Sequence, residues 1–211
     1  MLKFLAGLLI SRELTWKGEV LLNDEALSLF SQRRRARRIA YVGSDLQTDF
    51  PLTALQVVEL RARASDTVVS MTRLEQAMSE CECWSLRDRT VETLSGGERQ
   101  RVAFAAVLAQ QPEVYLLDES LSKMDLNHQA LAGRIMRRLA SRGSMVVLVA
   151  HDVNLALEWA DGAVLMRDGA VVAEGKVVDV VSTESIQSLY PGSTAQVANS
   201  PITGSPQVFF G

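Results

Sequence analysis

The apolar positions of this chain change rhythm twice along its length. Residues 2–10, Leu2-Lys3-Phe4-Leu5-Ala6-Gly7-Leu8-Leu9-Ile10, are apolar all round rather than along one stripe, which predicts a buried helix ended near Ser11. Val20-Leu21-Leu22 reads as a strand, and the basic run Arg33-Arg34-Arg35-Ala36-Arg37-Arg38 leads into the apolar strand Ile39-Ala40-Tyr41-Val42. From Pro51 to about Arg89 the pattern is mostly helical, with Leu55, Val58, Leu60, Leu74 and Met78 as the inward positions. This stretch predicts a small helical subdomain.

From residue 91 onward, apolar strands alternate with helices. The strands are Val114–Leu117, Met145–Ala150, Ala163–Met166 and Ala170–Ala173. Runs this continuously apolar suit strands covered on both faces, and the helices between the first three predict parallel pairing. The short Arg167-Asp168-Gly169 link predicts a hairpin instead. The expected class is therefore α/β, a mostly parallel sheet with an antiparallel edge. Residues 176–190 read as helical, and the tail from Pro191 to Gly211 as an irregular or hairpin appendage.

Composition narrows the function classes. With 211 residues, 47% hydrophobic and 22% charged, the chain is globular, of one or two domains, and able to bury a core. A formal charge of −3 gives none of the basic field that non-specific nucleic-acid binding draws on, so nucleic acid is not an expected partner. Cys81 and Cys83, one residue apart, fit neither a disulfide framework nor Cys-x-x-Cys spacing and read as structural thiols of a reducing compartment. The apolar start is followed by Ser11-Arg12-Glu13 rather than a small-residue cleavage site, and no run approaches the roughly 18 residues of a membrane span. The arginine run, without interleaved aromatics, reads as a solvated helix face before a phosphate patch.

Three constellations carry chemistry. In Leu94-Ser95-Gly96-Gly97-Glu98-Arg99-Gln100-Arg101, Ser95 and Glu98 have the spacing of a capping box. A helix starting there presents a hydroxyl and two glycine N–H groups at its positive end, an arrangement suited to phosphate. The strand Val114–Leu117 ends in Asp118-Glu119, where an α/β sheet places its ligands; one carboxylate can hold Mg²⁺ through water while its neighbour orients a nucleophile. His151-Asp152 ends the next strand, with Asp152 placed to cap the helix that follows. His128, after Asp125, reads as a surface residue.

In this order, the motifs resemble those of the ATP-binding subunits of ABC transporters. Leu94–Arg101 resembles the family signature, Val114–Glu119 the Walker B strand, Ser122-Lys123-Met124-Asp125 the D-loop and His151 the switch histidine. The ending Leu189-Tyr190 with Pro201-Ile202-Thr203-Gly204-Ser205-Pro206 is similar to importer ATPases for iron-siderophore complexes, haem and cobalamin. The resemblance implies a P-loop NTPase-like ABC ATPase fold, divided as 1–50 (part of the core), 51–93 (helical subdomain), 94–175 (signature, Walker B, D-loop and switch histidine) and 176–211 (helix and tail). It implies ATP and Mg²⁺ as cofactors, Glu119 and His151 as catalytic, Asp118 as the Mg²⁺ carboxylate, and Ser95, Gly96, Gly97, Glu98 and Asp125 as contacts to the ATP of a second, head-to-tail subunit. It further implies transmembrane permease subunits, a substrate-binding protein and a place on the cytoplasmic face of the cell membrane.

Three departures qualify that expectation. No Gly-x-x-x-x-Gly-Lys-Ser/Thr stands in the sequence; Gly169–Lys176 fails on spacing and on Val177. The sequence is therefore expected to start just after that loop, with Met1 an internal methionine and the preceding strands absent. Alternatives are a non-hydrolysing regulatory half of a heterodimer, or a gene fragment. Ser44 stands where the family has the Q-loop glutamine, with Gln47 displaced, and Ser120 replaces the usual proline after Glu119.

Overall fold

A computed structural model describes residues 2, 6, 18–46, 48, 50–65 and 68–211. The chain divides into two compact units, Met1–Val149 and Ala150–Gly211.

In the first unit, β1 (Leu21–Leu22) and β2 (Glu25–Ala26) form a short antiparallel ribbon. Asn23 and Asp24 turn it with φ of 52° and 62°, left-handed values that short polar side chains tolerate. Helix α1 (Gln32–Arg38), capped by Ser31, leads directly into β3 (Ile39–Val42). The arginines of α1 are not simply solvated: Arg34 pairs with Glu25, Arg38 with Glu113, and Arg35 and Arg37 donate to the Leu27 and Ser65 carbonyls. Most of the predicted helix 2–10 lies outside the described residues. Of that run, Leu2 is buried beside Leu27, Phe30, Ile39, Val114 and Leu116, and the Ala6 N–H donates to the Leu2 carbonyl.

Helices α2 (Ala54–Ala62) and α3 (Met71–Glu80) form the expected helical block, started by the caps Thr53 and Ser70. Val58, Leu74 and Met78 are buried as predicted, and Leu55 is half-buried. Leu60 is not: it is 64% exposed, because α2 buries Ala54, Val57, Val58 and Ala62, and a residue two positions past Val58 points to the opposite face. Helix α4 (Gly96–Gln110) is buried almost throughout Val102–Gln110, apolar on all sides because α2, α3 and β3 pack around it.

Strand β4 (Val114–Asp118) is the centre of a three-stranded parallel sheet in the order β3-β4-β5, with β5 spanning Met145–Val149 and α5 (Leu126–Ser141) as the crossover. Ile39 aligns with Val114, and Val114 with Met145. The sheet's parallel character follows from the α-helical connections between its strands.

In the second unit, α6 (Val153–Trp159) precedes β6 (Gly162–Arg167) and β7 (Ala170–Lys176). The predicted hairpin is present, turned by Asp168 and Gly169, both at positive φ. The predicted parallel pairing of Ala163–Met166 is not: that run pairs antiparallel with β7, forming a two-stranded sheet rather than an edge of the parallel one. Ala163 and Leu165 are half-buried while Val164 and Met166 are exposed, so this run is covered on one face only; periodicity in so short an apolar stretch does not separate the two cases. Two short helices, α7 (Val177–Val180) and α8 (Thr183–Leu189), replace the single helical segment expected, and the tail folds into a hairpin of β8 (Gln196–Asn199) and β9 (Pro206–Phe209). Leu157, Val177, Val181, Ile186, Ala195 and Val208 form this unit's core.

Candidate active site

The N-terminus of α4 is built as the sequence predicts. Glu98 N–H donates to Ser95 Oγ (3.3 Å), and Ser95 N–H donates to Glu98 Oε2 (2.7 Å), the reciprocal capping box. Arg89 adds a bond to Glu98 Oε1 at 3.1 Å. The backbone N–H of Ser95, and then its side chain and Arg89, hold the Glu98 carboxyl below its ordinary value. Gly96 and Gly97 occupy the first two helical positions, whose N–H groups no helix satisfies internally. That leaves a helix end with two donors and a positive partial charge, suited to an anion.

The glycines have a second reason that the sequence did not disclose. A Cβ on Gly97 would sit 2.9 Å from the Lys123 carbonyl oxygen, closer than real Cβ atoms come to other atoms, and one on Gly96 would meet the Lys123 side chain at 3.0 Å. Gly97 is required for this chain's own loop to approach, whatever ligand the helix end also receives, whereas the Lys123 side chain can move away from Gly96.

Asp118 closes β4, aligned with Val149 of β5, and Glu119 N–H donates to the Val149 carbonyl at 2.9 Å. Both carboxylates thus stand at the carboxyl edge of the parallel sheet, where α/β folds present their chemistry. Tyr41 of β3 donates its phenolic proton to Asp118 Oδ2 at 3.0 Å. Burial, with the Asp118 contact second, pushes the Tyr41 phenol up to about 12, so it stays protonated as a donor. Glu119 has φ of 52°, a left-handed conformation uncommon for a non-glycine residue and one that surrounding contacts must maintain. Ser120 is fully buried, and its hydroxyl finds no partner among the described residues.

Asp125 caps α5, accepting from His128 N–H at 2.9 Å and meeting the His128 Nδ1 at 2.8 Å. These two contacts hold the Asp125 carboxyl below its ordinary value. His128, expected at the surface, is half-buried there, its Nε2 3.5 Å from Glu82. Cys81 and Cys83 are free and buried, and burial pushes the Cys83 thiol to about 12, consistent with packing rather than reactivity. Ser95–Glu98, Asp118–Glu119 and Asp125 all belong to the first unit, and Lys123, between Glu119 and Asp125, packs against Gly96 and Gly97. His151 belongs to the second unit, exposed at the start of the segment in which Asp152 caps α6. Ser44 is ordered by a bond from Gln100 to its carbonyl; Gln47 lies outside the described residues.

Residues 2–122 match the family described as ABC transporter. This chain belongs to that family. The cassette is 36% identical over 199 residues to the hemin import ATP-binding protein HmuV of Hahella chejuensis, covering 90% of this chain and 77% of that protein. It is 37% identical over 198 residues to HmuV of Rhodococcus jostii, covering 90% of this chain and 66% of that protein. Its fold matches the dimeric ATP-binding cassette MJ0796 in a post-hydrolysis state bound to ADP and Pi, with a TM-score of 0.73, 25% identity, and coverage of 83% of this chain and 78% of that one. A structure described as an inward-facing metal-chelate type ABC transporter matches at a TM-score of 0.67 and 22% identity, covering 82% of this chain and 73% of that one, a likeness of fold. Family membership makes the cassette an ABC-type ATPase, a nucleotide-binding protein of α/β, P-loop NTPase-like class. Among the described residues no helix is long and apolar enough to cross a membrane.

Proposed function

We propose that the cassette energises import of hemin or a related metal chelate, held by a permease at the cytoplasmic face of the membrane and served by a substrate-binding protein. The observation that carries this reading is the pairing, within one unit, of an anion-seeking helix end at Ser95–Gly97 with a carboxylate pair at the mouth of a parallel sheet. The names of the HmuV relatives supply the cargo.

In this reading two cassettes pair head to tail. Ser95, Gly96, Gly97, Glu98 and Asp125 of one face the ATP of the other, the glycine N–H groups receiving γ-phosphate oxygens. Glu119 orients and polarises the attacking water. Asp118, at the carboxyl edge of the sheet, would suit a Mg²⁺ held through water, since Mg²⁺ is characteristically held by one or two carboxylates, water and substrate phosphates. When bound, that ion neutralises charge on the phosphates. Tyr41 contributes by fixing one Asp118 oxygen in place. The block 51–93 is the surface offered to the permease.

Catalysis of this kind is mainly positioning and charge stabilisation, to which a general base contributes roughly 10²–10⁴-fold. Glu119→Gln in the assembled importer should therefore abolish steady-state ATP turnover while nucleotide still binds; wild-type turnover in that variant refutes the role of Glu119. The missing Gly-x-x-x-x-Gly-Lys-Ser/Thr supports a second reading, in which the chain is a non-hydrolysing half that lends its signature face to an intact subunit. The 211 residues alone should bind Mg-ATP poorly, and micromolar affinity by calorimetry contradicts that. The DNA just upstream of Met1 separates the readings: an in-frame phosphate-loop motif favours the ATPase, a stop codon the non-hydrolysing half or a gene fragment.

A further inference from the structure

Gln100 is 2% exposed, a placement that costs free energy unless the amide is fully bonded. It is bonded, to two different stretches of chain. Its Nε2 donates to the Ser44 carbonyl (3.3 Å) and Ser122 Oγ (3.4 Å), and its Oε1 accepts from Lys123 N–H at 2.7 Å. One amide, a single turn after the Ser95 cap, therefore ties α4 to the segment after β3 and to the loop between Glu119 and Asp125.

The same three stretches are joined a second time, by Asp45 Oδ1 at 3.6 Å from both Arg99 Nε and Lys123 Nζ. Gly97 lets the Lys123 carbonyl come close enough for the Gln100 bond to form. From Ser122 the connection runs onward, since its Oγ (3.0 Å) and N–H (3.4 Å) both donate to the Glu119 carbonyl. Glu119 is the residue held at φ of 52°, a conformation that persists only where neighbouring contacts over-determine it.

We propose that Gln100 is a positioning residue: it fixes the 119–125 loop to the first turn of the signature helix, so that the orientation of Glu119 and the position of the helix end are set together within one subunit. The inference rests on the reading of Glu119 as the water-orienting group.

Amide exchange and turnover test it together. Gln100→Met keeps length and removes every strong hydrogen bond; Gln100→Glu keeps the acceptor for Lys123 N–H. In the full chain, Gln100→Met should speed Lys123 amide exchange about tenfold, the protection given by one bond of ordinary strength, while Gln100→Glu leaves it near the wild-type rate. In the assembled importer, Gln100→Met should lower kcat roughly 10- to 100-fold, with KM for ATP within about twofold, as expected when a reacting group is misplaced by a fraction of an ångström to an ångström. Unchanged Lys123 exchange in Gln100→Met overturns the clasp, and accelerated exchange with unchanged kcat overturns the positioning role. If Gln100→Met does not fold, Ser122→Ala, which removes the Oγ bonds to Gln100 and to the Glu119 carbonyl and leaves only the Ser122 N–H bond, must lower kcat several-fold at unchanged KM, and wild-type kcat there overturns the proposal. Glu119→Gln assayed alongside keeps the two ideas apart: it should stop turnover without altering Lys123 exchange, and its failure to do so removes the reading of Glu119 while the exchange data still judge the clasp.

Discussion

A methyl group added at Gly97 pits two opposing effects against each other. Alanine is the better helix former, worth at most about 1 kcal/mol over glycine. Against that, the new Cβ would lie 2.9 Å from the Lys123 carbonyl oxygen, part of a residue whose backbone N–H is held by Gln100. The loop must shift by several tenths of an ångström, and overpacking of this kind costs about 1–3 kcal/mol. The net expectation is a loss of about 1 kcal/mol, which for a unit of this size lowers Tm by roughly 2–4 °C. Gly96→Ala is the control: its contact is the Lys123 Cδ at 3.0 Å, the far part of a flexible side chain that can swing aside, so stability should stay within about 0.5 kcal/mol of wild type. Thermal unfolding of both variants followed by circular dichroism decides the matter. If Gly97→Ala proves as stable as Gly96→Ala, or more stable than wild type, the close approach of Lys123 is not what demands glycine there.

Two further outcomes follow from the same neighbourhood. The folded-state carboxyl of Glu98 lies below its ordinary value of 4.5, so its contribution to stability is present above that value and is lost as pH falls through the depressed one. Glu98→Gln removes the titrating group while its amide oxygen can still close the capping box, so this variant should flatten the Tm-against-pH curve in the acid range, and an unchanged acid slope contradicts the assignment. Ser120→Ala removes a buried hydroxyl without a partner among the described residues and should raise stability by about 1 kcal/mol in denaturant unfolding; a loss of that size would mean the hydroxyl is bonded after all.

Local chemistry was legible in the sequence wherever a signal spans a few residues. The Ser95–Glu98 box, the cap Asp152, the Asp168-Gly169 turn and the parallel pairing of Val114–Leu117 with Met145–Val149 all rest on short-range patterns, and each is present. What failed was the facing of apolar residues whose neighbours come from elsewhere. Leu60 looked inward until the buried face of α2 was known, and Ala163–Met166 looked like a two-faced strand. The contacts that organise the candidate site were invisible for the same reason: Tyr41 reaches Asp118 across 77 positions and Gln100 reaches Ser44 across 56, and neither pair carries a spacing signature. The pairing of Arg38 with Glu113, 75 positions on, is another long-range fact.

The central idea is that the first turn of α4 receives a phosphoryl oxygen from nucleotide bound by a second subunit. Amide exchange at Gly96 and Gly97 in the assembled importer, stalled by Glu119→Gln and compared with and without Mg-ATP, addresses it directly. Slowed exchange at both glycines on adding nucleotide is the result expected; exchange that stays the same at both, with nucleotide demonstrably bound, contradicts it.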